Sequence, residues 1–170
     1  MTALLESDRL ALREMTEGDL DFLAGMLGDP EVMRHYPKAL SRDEAAGWLD
    51  RQRVRYARDG HALWLVERRD DRAPVGQVGL VAQEIEGERL PEVGWMIHRP
   101  FWRRGYASEA ALAVRTAAFG RFGYPRVISL IRPENLPSQG VARKIGMAPL
   151  RETTYVGFRH VVWGVEAATP

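Results

Sequence analysis

The sequence predicts an α+β domain built around one mixed sheet, and three observations carry that expectation. A period-two strand opens the chain at 9–13, two helical segments follow before residue 60, and short strands then give way after residue 100 to helix and strand in alternation. No Ser/Gly/Pro-rich linker, low-complexity tract or long repeat divides the chain, so one domain spanning 1–170 is expected.

Arg9-Leu10-Ala11-Leu12-Arg13 alternates charged and apolar residues, the mark of a half-buried strand. Thr16 offers an N-cap for a helix carrying Leu20, Leu23 and Leu27, which should end near Gly28-Asp29-Pro30. Ser41 opens a second helix, with Glu44 three residues on completing a capping box. Its apolar positions Ala45, Trp48, Leu49, Val54 and Tyr56 fall roughly on one stripe, and it should stop at Asp59-Gly60. The runs 61–66 and 74–81 flank the turn-like Arg69-Asp70-Asp71-Arg72 and read as paired antiparallel strands. A third run, 92–98, follows the polar turn Glu86-Gly87-Glu88. Beyond it, 109–122 is Ala-rich with Leu112, Val114, Ala118 and Phe119, a helix closing at Gly123. Residues 126–131 read as a strand, 138–144 as a short helix capped by Gly146, and 155–165 as a final hairpin, with 167–170 frayed.

Lys plus Arg number 24 against 23 Asp plus Glu, a formal charge of +1, which argues against a strong field for nucleic acid. No apolar run approaches the ~18 residues of a membrane span, and residues 1–13 lack the basic-then-apolar order of a signal peptide. The expected location is the cytoplasm, with neither nucleic acid nor membrane as a partner. The absence of Cys removes disulfides and thiolate metal sites. His35, His61, His98 and His160 show no paired ligand spacing, so no metal is expected. Trp48, Trp64, Trp95 and Trp163 sit in apolar-patterned elements, where core packing is the default, and the charged stretch 51–59 reads as a solvated helix face. Neither a P-loop, a Gly-x-Gly-x-x-Gly fingerprint nor a Gly-x-Ser-x-Gly elbow occurs.

Chemistry concentrates at 92–110, where a strand runs into a helix through Arg103-Arg104-Gly105-Tyr106-Ala107. A helix N-terminus with small residues and two Arg makes a phosphate cradle, although a helix start with solvated Arg has the same sequence. One helix and one strand later comes Asn135-Leu136-Pro137-Ser138, and then Arg143-Lys144-Ile145-Gly146-Met147.

The start Trp102-x-x-Gly105-Tyr106-Ala107-Ser108-Glu109-Ala110, followed by Asn135-x-x-Ser138 and Arg143-Lys144-Ile145-Gly146-Met147, resembles the GNAT superfamily of N-acetyltransferases, in its RimJ/RimL-like (ribosomal-protein N-acetyltransferase-like) branch. Asp8 to Arg13, Asp19, Asp29-Pro30-Glu31-Val32-Met33 and Gly76-Gln77-Val78-Gly79-Leu80 are similar to the matching segments of that branch, so the resemblance covers nearly the whole chain. It implies a single domain with a mixed, mostly antiparallel sheet of six to seven strands, splayed between the fourth and fifth and flanked by about four helices. It also implies transfer of acetyl from acetyl-CoA to a primary amine, a protein N-terminal α-amine or a small amine, by direct attack in a ternary complex. A non-catalytic acyl-CoA-binding or sensing module is the alternative. Relatives often form homodimers, but no sequence feature decides that here.

By position, the resemblance assigns Arg103, Arg104, Gly105, Tyr106, Ala107 and Ser108 to the pyrophosphate. It sets Met96, Ile97 and His98 beside the pantetheine arm, Asn135 on that arm and Ser138 near the sulfur, where it would protonate or stabilise the leaving thiolate. Arg143 or Lys144 would lie near the 3′-phosphate or adenine. Glu92 is the candidate base, against the alternative of a solvated strand-end carboxylate. His35, Tyr36 and Tyr155 lie in segments that often wall the acceptor site. Two departures matter: Trp102 and Arg103 replace the residues usual at the start of the motif, and Ala142 stands where another branch places an acidic Tyr, which leaves that role to Ser138.

Overall fold

The alternation at 9–13 becomes β2 (Leu10–Arg13), with Leu10 and Leu12 fully buried; a two-residue strand, β1 (Leu5–Glu6), pairs with it at the sheet edge. This computed structural model describes residues 2–168. Thr16 caps a single 3-10 turn rather than the helix itself, and α1 (Leu20–Leu27) continues from that turn. Ser41 and Glu44 form the expected capping box at the head of α2 (Arg42–Asp59), and Gly60 closes it in the left-handed conformation. Ala45 and Leu49 face inward as expected, but Val54 is exposed and Gln52 is buried in its place.

β3 (Leu63–Arg68), β4 (Pro74–Ile85) and β5 (Glu88–Ile97) form the antiparallel meander, with a two-residue turn at Glu86-Gly87. The helix after it, α3 (Tyr106–Gly120), begins three residues earlier than its Ala-rich pattern indicated. β6 (Arg126–Ile131), α4 (Leu136–Lys144), β7 (Ala148–Tyr155) and β8 (Phe158–Glu166) complete the chain. The last hairpin turns at Val156-Gly157, so its first strand lies upstream of the stretch expected to hold it, sharing only Tyr155 with it. Ala167 is not frayed, since its N–H donates to Pro125 O at 2.8 Å; Thr169 and Pro170 lie outside the described residues.

The sheet runs β1-β2-β3-β4-β5-β6-β8-β7, eight strands where six to seven were expected, the count raised by the short β1. On one face, Leu23, Met26, Leu27, Ala45 and Leu49 from α1 and α2 pack on Leu65 and Met96. On the other, Ala110, Ala111, Val114, Ala142 and Ile145 from α3 and α4 cover Leu10, Trp64, Val78, Leu80 and Val127. Only β5 and β6 run parallel, which the crossover through α3 requires. They register at a single pair, Glu92 with Ile128, and then part. These are the fourth and fifth strands of the sequence reading, renumbered by β1, and the sheet splays between them as expected.

Candidate active site

The fork between β5 and β6 leaves backbone groups exposed, and hydrogen bonds identify which. His98 N donates to Val75 O at 2.8 Å, and the alternation of an antiparallel ladder then commits the N–H groups of Met96, Gly94 and Glu92 to β4 as well. Residues 93, 95 and 97 therefore turn their N–H and C=O groups toward the fork. Two side chains agree with that phase: Ser129 Oγ donates to Val93 O at 2.7 Å, where the strands separate, and Trp102 Nε1 donates to Ile97 O at 2.7 Å. The Met96 N–H is consequently not available to a ligand, and the free edge belongs to Trp95 and Ile97.

A cavity of about 470 Å³ opens at this fork. Glu92 lies within β5 rather than at its start, and it lines the cavity. Its carboxylate accepts from Gln83 Nε2 at 2.8 Å and from Leu130 N at 3.3 Å, so the solvated strand-end alternative is excluded. Burial raises the Glu92 carboxyl above its ordinary range, against the pull of those two donors and of Arg55. Ser138 reaches the same cavity from the first turn of α4, with Trp95 Nε1 donating to its Oγ at 3.2 Å. Asn135 caps that helix, its Oδ1 accepting from Ser138 N at 3.2 Å, which leaves its amide NH₂ as the group for a ligand. His35, Tyr36 and Tyr155 all line the cavity, and Tyr155 OH donates to Gln83 Oε1 at 3.2 Å. Burial lowers the His35 imidazole and raises both phenols.

The second feature lies outside that cavity, at the N-terminus of α3. Arg103 and Gly105 both have positive φ, 60° and 78°, so the loop curls into the helix start and its amides face outward from the first turn. Arg103 and Arg104 are exposed, whereas the Tyr106 ring is buried beneath the Arg9 guanidinium, 4.7 Å from its centroid. Tyr106 thus offers only its backbone, while Ala107 and Ser108 continue the first turn.

A family model described as an Acetyltransferase (GNAT) domain matches residues 9–148. The chain belongs to the GNAT acetyltransferase family. It is similar to YkkB of Bacillus subtilis, 35% identical over 144 residues that span 84% of each protein. An acetyltransferase structure from Agrobacterium tumefaciens str. C58 matches with a TM-score of 0.82 at 25% identity, covering 98% of this chain and 95% of that one. A RimL ribosomal L7/L12 alpha-N-protein acetyltransferase in complex with coenzyme A matches with a TM-score of 0.76 at 18% identity, covering 96% of each, a likeness of fold alone.

This GNAT protein is therefore an acetyl-CoA-dependent acyltransferase, and two features of the chain have the form that such a cosubstrate needs. The β5 edge carries N–H groups that β4 does not use, and the α3 N-terminus carries those of its first turn. Of the other residues assigned by position, the Ile97 side chain packs into the core while its backbone lies on the free edge, and the His98 ring turns toward α1, edge-on to Phe22. Arg143 lies over the Trp163 ring at 5.2 Å, and neither it nor Lys144 lines the cavity. No helix among the described residues is long and apolar enough to cross a membrane, and no cluster of His, Cys, Asp and Glu there has the form of a metal site.

The cavity of this GNAT protein also contains residues that pattern reading placed elsewhere. Trp48 and Trp95 pack against the core as expected and also wall the cavity, and Arg51 and Arg55 project into it from a helix face read as solvated. Trp48, Arg51 and Arg55 recur at spacings of three and four, one face of α2 beside the buried one, and that spacing was the available signal. Gln77 carried another: it is 1% exposed in an apolar strand, where it accepts from Trp48 Nε1 at 3.0 Å. His160 and Arg132 line the cavity as well, as does Gln83, which holds both Glu92 and Tyr155.

Proposed function

We propose that the chain moves the acetyl group of acetyl-CoA to a primary amine held in the cavity, a small amine or a protein N-terminal α-amine, by direct attack in a ternary complex. The observation that carries this is the meeting of Glu92 and Ser138 in one cavity at the fork of β5 and β6. Acetyl-CoA supplies an activated acetyl thioester. The α3 N-terminus, with Arg103 and Arg104, takes the diphosphate; Asn135 and the free edge of β5 take the arm. The N–H groups of Trp95 and Ile97 are the donors for the thioester carbonyl.

The attacking amine must be neutral, and reference pKa values of about 8 for an α-amine and about 10.4 for Lys make proton removal part of the task. Glu92, with its raised pKa, accepts that proton, directly or through water. A C–N bond forms as the C–S bond breaks, and the Ser138 hydroxyl either stabilises the departing thiolate by hydrogen bonding or protonates it, in which case water returns a proton to the serine oxygen. With no Cys in the chain, no acetyl-cysteine step is available.

Thermal shift with acetyl-CoA, CoA and ATP tests the shared premise without an acceptor. At a hundredfold excess over Kd, a rise of about 5–10 °C is expected with the two CoA ligands and none with ATP. No rise with either CoA ligand, confirmed by calorimetry, would remove this reading.

A further inference from the structure

The cavity carries more positive than negative charge. Arg51 and Arg55 reach it from α2 and Arg132 from the end of β6, while the one carboxylate in its wall is Glu92. Other arginines of α2 are paired: Arg53 meets Glu17 at 3.0 Å and Arg58 meets Asp59 at 2.6 Å. Arg132 likewise meets Glu134 at 2.6 Å. Arg51 and Arg55 form no ion pair among the described residues. The Arg51 guanidinium lies 5.7 Å from the Trp48 ring centroid, and half-buried Arg55 has a long 3.5 Å contact to Gln52 Oε1. Glu92 forms no ion pair with either among the described residues; its oxygens accept from Gln83 and the Leu130 amide, and Arg55 acts on it only through space.

A guanidinium that has lost water without gaining an anion is destabilised, and burial accordingly draws the Arg55 pKa down. A ligand oxyanion would restore what desolvation removed, and the planar fork of Arg suits a carboxylate or phosphate. We propose that the acceptor is a small amine that also carries an oxyanion, carboxylate or phosphate, bound by Arg55 and Arg51 while its amino group lies at Glu92. This rests on the acetyl-transfer reading above. The same positive wall disfavours polyamines and lowers the pKa of an amine bound beside it, which helps to deliver the neutral nucleophile.

The test is thiol release from acetyl-CoA with matched acceptors, compared per neutral amine: L-serine against L-serinamide for the carboxylate, and O-phosphoethanolamine against ethanolamine for the phosphate. In at least one pair the anionic member is expected to win by about tenfold or more in kcat/KM, which also tells the two sources apart. Arg55→Gln should reduce that ratio to within about threefold and Arg51→Gln should reduce it partly, while Arg55→Lys, which keeps the charge, retains a larger ratio than Arg55→Gln. An acetyl-CoA thermal shift equal to wild type certifies that each variant is folded. Equal or better turnover of the neutral member in both pairs overturns the proposal, as does an unchanged ratio in Arg55→Gln. Failure of every acceptor to react while acetyl-CoA still raises the melting temperature overturns it too and leaves cosubstrate binding standing. No response to acetyl-CoA or CoA would instead overturn the underlying acetyl-transfer reading.

Discussion

Trp95 Nε1 donates to Ser138 Oγ at 3.2 Å, joining β5 to α4 across the gap that opens beyond Glu92 and Ile128. An indole N–H donates only, so the Ser138 oxygen is the acceptor and its own proton remains free for a third atom. If that atom is the leaving sulfur, Ser138→Ala lowers kcat by about 10²-fold and leaves the KM for acetyl-CoA within about threefold. Trp95→Phe keeps the ring and removes the donor, so it should fall between wild type and Ser138→Ala. Steady-state kinetics on the two variants decides this; an unchanged kcat in Ser138→Ala removes the hydroxyl from the reaction.

As the proposed base, Glu92 should set the pH dependence. Burial pushes its pKa above the ordinary 4.5, and a base must be ionised to act. The rate kcat/KM should therefore climb with pH through an acid limb whose midpoint lies above 4.5. Glu92→Gln abolishes the limb and lowers the plateau by about 10²-fold. Stability moves in the opposite sense. A carboxyl whose pKa is higher in the folded than in the unfolded chain favours folding in its protonated form, and this contribution is lost as pH rises through the folded pKa. Glu92→Gln should consequently melt no lower than wild type at pH 7, which separates its kinetic loss from misfolding.

How far the sequence reveals this protein depends on the range of the interaction concerned. The Ser41 and Glu44 box and the Gly60 stop are settled within a few residues, and both were legible. β7 was missed because it is an edge strand with most of its side chains exposed, Leu150 among them, so Ala148 to Tyr155 shows no apolar alternation. Asn135 and Ser138 were singled out through a motif and Glu92 through its position in the family resemblance; their residue types alone would have fitted a helix cap, a helix surface and a strand carboxylate. The phase of the β5 ladder was not legible, since a shift of one residue would exchange the free amides of Trp95 and Ile97 for those of Met96 and His98. Arg51 and Arg55 were hidden for a related reason. Helical spacing places them on one face, but only the packing of α2 over the sheet turns that face into a cavity wall.

Gly79 and Gly76 are fixed by backbone proximity. A Cβ at Gly79 would lie 2.0 Å from Ala62 O and 2.6 Å from Leu63 Cα, and one at Gly76 would lie 2.3 Å from Met96 O and 2.9 Å from Ile97 Cα. Backbone cannot swing aside as a side chain does, so Gly79→Ala should destabilise by about 3 kcal/mol or more. Gly76→Ala should also weaken CoA binding, because it displaces β5 at Ile97 beside the free edge. Gly25 makes the contrast: it sits inside α1 with nothing within 4 Å of its Cβ position, and Gly25→Ala should stabilise by about 0.5–1 kcal/mol. Chemical denaturation of the three variants measures the difference, and a Gly79→Ala protein as stable as wild type would mean that β3 and β4 lie farther apart than described.

Arg9 holds the cradle loop in place. Its Nε donates to Glu109 Oε2 at 2.6 Å, its backbone N–H donates to Glu109 Oε1 at 2.9 Å, and its Nη1 donates to Arg104 O at 3.0 Å. Ser7 Oγ adds a donor to Glu109 Oε1 at 2.7 Å, so the turn before β2 is fastened to the first turn of α3. Burial alone would raise the Glu109 carboxyl, but these donors outweigh it and hold it below its ordinary range, which favours the ionised form of the anchor. Arg9→Ala releases the Arg104 carbonyl and uncovers the Tyr106 ring, and the loop with positive φ at Arg103 and Gly105 loses its tether. Calorimetry with CoA should then show Kd raised by about tenfold. Once acetyl-CoA is saturating, kcat should stay within about threefold of wild type, because Glu92 and Ser138 lie in a cavity that the loop does not line. An unchanged Kd would mean that the amides of the α3 N-terminus hold the diphosphate without help from the β2 side of the sheet.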